Sequence, residues 1–93
     1  METLSTTVCI SDSVVHAVLG DETVLLDSDS GVYYGLDAVG SRIWELLAHG
    51  SSEEEVVRTL LLEYRAVPEQ VRADVEECLR GLASKRLTRA ARR

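Results

Sequence analysis

The sequence predicts an α+β domain in which a three-stranded antiparallel sheet is followed by three helices. Three observations carry that prediction. Short β-patterned runs separated by turn residues fill residues 14 to 36, apolar residues recur at helical spacing from residue 38 onward, and each helical run is preceded by its own start signal. With the strands gathered first and the helices after them, the helices must pack on one face of the sheet.

The first run is VVHAVL (Val14 to Leu19), closed by Gly20-Asp21. The second is TVLLD (Thr23 to Asp27), closed by SDSG, and the third is VYYGL (Val32 to Leu36). Short strands joined by tight turns make an antiparallel meander. Alternation along the third strand sets Val32, Tyr34 and Leu36 on one face and Tyr33 and Gly35 on the other, so Leu36 and one tyrosine are expected to reach the core while Tyr33 faces out.

Asp37 is an N-cap for a helix over Ala38 to His49, in which Val39, Ile43, Leu46 and Leu47 form the buried stripe and Gly50 supplies the stop. Ser52 and Glu55 fit a capping box for Glu53 to Tyr64. The acidic first turn of that helix suits the positive end of the dipole, and Val56, Val57, Leu60, Leu61 and Tyr64 mark its apolar side. Pro68 then opens a helix running to about Ser84, with Val71, Val75, Cys78, Leu79 and Leu82 on one side. The predicted division is a flexible start over residues 1–12, a domain over 13–87 and a basic tail over 88–93. Val8, Cys9 and Ile10 form a candidate extra strand whose pairing nothing in the sequence fixes, and the basic tail reads as a solvated, frayed terminus in preference to a docking arm for an acidic surface.

Ninety-three residues allow one modest core, because a chain this short buries only about 60–65% of the surface its unfolded form exposes. A cleft with separate substrate and cofactor lobes needs more chain. No apolar run reaches the roughly 18–20 residues that span a bilayer, and the N-terminus lacks a secretory pattern, so a cytoplasmic protein away from membranes is expected. All 16 acidic residues precede Lys85, against five arginines in that stretch; the other five cations close the chain. An acidic body repels phosphate backbones and argues against nucleic acid.

Nothing in the sequence assembles a catalytic or metal site. Cys9 and Cys78 lie in different segments with no CxxC or Cys/His ligand cluster. His16 lies in a strand and His49 at a helix end, neither beside a nucleophile that spacing would pair with it. The DSDSG stretch lacks the later glutamate of a calcium loop, and the glycines are isolated instead of forming a phosphate cradle. What remains is the sheet edge. The third strand, with two tyrosines, no lysine and no proline, leaves its main-chain groups free for an incoming peptide if it is not covered.

The residues themselves resemble a family. The stretch LLDSDSGVYYGLDAVGSRIWELLAHGSSEEEVVRTLLLEY, then PEQVRADVEECLRGL and ASKRL, is similar to the PqqD-like leader-peptide recognition proteins, and most of all to the stand-alone recognition protein of lasso-peptide biosynthesis. The pattern is Gly31, Tyr33 and Leu36 before Asp37, a small pair, Ile43-Trp44, Leu47 and Gly50, with Asp74 in the last helix. Asp37 replaces the asparagine of many relatives, and the tail after Leu87 falls outside the pattern.

The resemblance implies a winged-helix-like domain in which a precursor's leader pairs antiparallel to the third strand and lies in a cleft against the third helix. Carried onto this chain, Val32, Tyr33, Tyr34, Gly35 and Leu36 become the template, and Val71, Asp74, Val75, Cys78 and Leu79 the candidates for the facing wall. Trp44 is expected in the core. The implied partners are the precursor's leader, a separate leader peptidase and the cyclase, with no catalysis and no cofactor. Two rivals stand beside it: a recognition module serving a radical enzyme in another peptide-modifying pathway, and a winged-helix DNA-binding protein. The second needs a basic recognition helix, yet the last helix carries Glu69, Asp74, Glu76 and Glu77 against Arg72 and Arg80.

Overall fold

The computed structural model describes residues 7–91. Its elements run β1 (Thr7–Ile10), β2 (Val14–Leu19), β3 (Glu22–Asp27), β4 (Val32–Leu36), α1 (Ala38–Ala48), α2 (Glu53–Glu63), α3 (Pro68–Ser84) and β5 (Thr88–Ala91). The central sheet is an antiparallel meander of order β2-β3-β4. Its register pairs Leu19 with Glu22 at one turn and Asp27 with Val32 at the other. Gly20 and Gly31 adopt positive φ at these turns, a conformation glycine takes without a Cβ clash.

The helices start as their sequences dictate. Asp37 accepts the Gly40 N–H at 2.8 Å, and Ser52 and Glu55 complete a reciprocal capping box. Helix α1 ends in a Schellman motif: the Gly50 N–H donates to Leu47 O and the Ser51 N–H to Leu46 O, each at 3.0 Å, with Gly50 at φ 91°. Arg42 of α1 pairs with Glu63 of α2, and Arg72 of α3 with Glu54 of α2, tying the three helices in series.

The core forms where the helices meet β3 and the chain end. Leu25, Ile43, Trp44, Leu47, Val56, Val57, Leu60, Val71, Val75, Leu82 and Leu87 are all buried. Trp44 is 2% exposed and is a core residue, as expected. Two residues expected in the buried stripes are not there. Val39 and Tyr64, each at a helix end, are exposed.

At the chain ends the candidate strand over Val8, Cys9 and Ile10 lies within β1, whereas the expected frayed tail forms strand β5 as far as Ala91. Thr7–Ile10 and Thr88–Ala91 form a second, two-stranded antiparallel sheet, with Ile10 opposite Thr88. Its physical origin is the end of α3. Arg86 takes the left-handed conformation at φ 61°, its N–H donates to Ala83 O, and the Leu87 N–H donates to Leu82 O. This is a second Schellman motif, with arginine where glycine is usual. It turns the chain back so that Leu87 is fully buried and accepts a bond from the Ser11 N–H at 3.0 Å, while Ser11 Oγ donates to Arg86 O. The expected flexible residues 1–6, and Arg92 and Arg93 of the tail, lie outside the described residues.

Candidate functional site

The central sheet ends at β4 on one side and at β2 on the other. Along β4 the alternation expected from the pleat holds from Tyr33 onward: Tyr34 and Leu36 are half-buried against the core, whereas Tyr33 is 67% exposed and Gly35 is exposed; Val32, at the strand's start, is exposed as well although it shares the face of Tyr34. The five residues expected to form the template therefore share one strand whose outer edge has no partner strand among the described residues.

Beside the C-terminal end of β4 lies an open groove of about 450 Å³. Its floor is Gly35, Leu36 and the start of α1, and its far wall is Asp74, Glu77 and Cys78 of α3. Gly40 makes this geometry possible, since a Cβ there would stand only 3.3 Å from the capping Asp37 carboxylate and 3.4 Å from Leu36 Cβ. Past Tyr34, at the N-terminal end of β4, a second cavity of about 870 Å³ opens between the β3–β4 turn and the end of α3; Val32, Tyr34, Lys85, Arg86 and Arg89 line it. The Lys85 ammonium sits 5.8 Å from the centre of the Tyr34 ring, within cation–π range.

Of the helical residues expected on the wall, Asp74 and Cys78 line the groove. Val71 and Val75 do not. Both are core residues, with Val75 at 0% exposure, because the 71-75-82 spacing is the stripe that α3 buries. Leu79 also packs against the core from a half-buried position. The side chains that reach the groove lie on the neighbouring flank of the helix, which brings in Glu77. Sequence reasoning missed Glu77, Val39 and Ile43 on the groove and Lys85, Arg86 and Arg89 on the cavity. The acidic flank 74–77 was legible as a polar stripe but carried no sign of what it faced.

Burial, and after it the negative charge of Asp37, pushes the Cys78 thiol above its ordinary value, with Lys85 acting weakly in the opposite sense. That keeps it protonated. Among the described residues, no three His, Cys, Asp or Glu side chains are grouped to hold a metal ion, and no helix is long and apolar enough to cross a membrane.

Fold and groove define a small α+β domain with one sheet edge left open beside a helix. The chain belongs to the PqqD family: the family model described as coenzyme PQQ synthesis protein D matches residues 22–87. Among solved structures, TbiB1 in complex with the TbiA(β) leader peptide superposes with a TM-score of 0.84 at 49% identity, covering 86% of this chain and 93% of that one. A lasso peptide synthetase B1 complexed with the leader peptide superposes with a TM-score of 0.82 at 23% identity, covering 89% and 98%, and speaks for the fold alone. No curated protein matches the chain.

Proposed function

We propose that this chain is a non-catalytic leader-binding protein of lasso-peptide biosynthesis, working in the cytoplasm without a cofactor. The leader of a precursor adds as an antiparallel strand to β4, lies against α3, and is held for a separate leader peptidase and then the cyclase. The observation that carries this reading is the 49% identity to TbiB1, a protein solved with a leader peptide, over nearly the whole of both chains.

The physical case is consistent with it. Main-chain bonds along β4 give affinity that tolerates sequence variation, and the groove beside Leu36 selects among side chains. Holding the leader raises the local concentration of its attached core peptide at the enzyme, so a module that breaks no bond can still accelerate processing. The protonated Cys78 thiol is the opposite of what a cysteine nucleophile needs.

The family's own description, a protein of coenzyme PQQ synthesis, favours a second reading in which the module serves a radical enzyme of another peptide-modifying pathway. Isothermal titration with a synthetic leader from the cognate precursor tests the first: binding at micromolar or tighter affinity is expected, and no binding by folded protein overturns it. Leader removal from the full precursor on adding the separate peptidase, and not with this chain alone, distinguishes the readings.

A further inference from the structure

We propose that the cavity at the Val32 end of β4 is a subsite for acidic side chains of the guest, in which Lys85, Arg86 and Arg89 receive carboxylates lying beyond the strand-forming segment. The inference rests on the strand-addition reading above. In antiparallel pairing this is the C-terminal flank of the guest, the part that leads toward the segment to be processed.

Three observations carry it. First, among the described residues the ion pairs engage Arg42 and Arg72 only, and no described carboxylate lies within pairing distance of Lys85, Arg86 or Arg89, although all three line one cavity of about 870 Å³. The facing wall holds Asp12, Asp27 and Asp29. Asp27 is already committed, accepting the Asp29 N–H and the Ser30 hydroxyl at 3.1 Å each.

Second, Arg86 keeps a left-handed backbone at the position where the matching motif of α1 uses Gly50. A non-glycine residue there is strained, and such strain gathers where a side chain is needed. Third, the two ends of the edge differ in charge: the cavity by Val32 sets three cations against three aspartates, whereas the groove by Leu36 is lined by acids without a cation. The groove by Leu36 carries Asp37, Asp74 and Glu77, so an acidic flank is repelled there and meets cations at the other end. On a protein of net charge −6, this favours one direction in which a guest is laid down.

Titrations with the cognate leader as a synthetic peptide, and with the same peptide carrying amides in place of its acids beyond the paired segment, test the proposal. The double variant Lys85→Glu/Arg89→Glu should bind the natural leader roughly tenfold more weakly, and wild type should discriminate against the amide peptide to a similar degree. The double variant should not distinguish the two peptides.

Arg86→Gly separates recognition from folding. It should melt at a higher temperature than wild type while binding the leader about threefold more weakly, a combination that loss of structure does not produce. Equal affinity of wild type for both peptides, or unchanged affinity in the double variant, overturns the subsite while leaving leader binding itself intact. A failure of strand addition reads differently, as a leader that does not bind or that ignores Tyr33→Pro.

Discussion

Strands β4 and β2 are the two edges of one sheet, and by sequence they are alike: VYYGL and VVHAVL contain neither lysine nor proline. Both also turn large apolar side chains to solvent, with Tyr33 at 67% and Val18 at 65% exposure. They differ in what lies alongside. β4 faces the α3 wall across a groove of about 450 Å³ and runs into the larger cavity beside Lys85. β2 lies beside a recess of about 240 Å³ against α1, where the His16 ring meets Trp44 edge-on at 6.3 Å. An open edge supplies hydrogen bonds to any strand, so selectivity has to come from the wall.

The largest expected effect compares proline at the two edges. Tyr33→Pro removes an N–H from β4 and sets a ring in the path of the incoming strand, which should weaken leader binding at least about tenfold, or more than about 1.4 kcal/mol. Val18→Pro should leave binding within about twofold. Equal losses by titration, in variants whose circular dichroism shows them folded, would falsify the assignment of β4 as the working edge. The next effect concerns the walls. Cys78→Phe should fill the groove and weaken binding by several-fold, at a stability cost of about 1–3 kcal/mol, whereas Ala48→Phe beside the β2 recess should not change affinity. A smaller effect is expected from Val18→Lys, which protects the β2 edge: self-association at high concentration should fall, as read by light scattering, with leader affinity unchanged.

The contrast between the helix ends explains what the sequence made legible. The stop of α1 could be read because Gly50 is the residue a left-handed cap favours, and the starts of α1 and α2 because Asp37, Ser52 and Glu55 bond to groups within three residues. The same cap at α3 was hidden by Arg86, so residues 88–91 read as a tail when they are a strand paired to residues 7–10. That pairing joins positions about eighty residues apart, and no local pattern encodes it. The site divided along the same line. β4 and its alternation were legible from a period of two, but the rotation of α3 was not. Val71, Val75 and Cys78 share one apolar stripe, and only packing decides that the first two enter the core while Cys78 reaches the groove.

The smallest effect expected also separates the two turns that feed the edges. At the β3–β4 turn, Asp27 accepts the Asp29 N–H and the Ser30 hydroxyl, and these bonds hold its carboxyl below the ordinary aspartate value of 3.8. The ionised form is the one the fold favours, so this contribution is fully present above the ordinary value and is lost as pH falls through the lower folded one. Glu63, held down by Arg42, and Glu54, held down by Arg72, follow the same sign. Acid should therefore loosen the entry to β4 and the ties between helices together. The β2–β3 turn, built on Gly20 at positive φ, has no such carboxylate bond among those observed and should be left alone. In an NMR titration the Asp29 amide should move with an inflection below 3.8, and Asp27→Asn should abolish that inflection. An inflection at or above the ordinary value would show that the turn at β4 does not depend on the charge of Asp27, and the two turns would then be equivalent in acid.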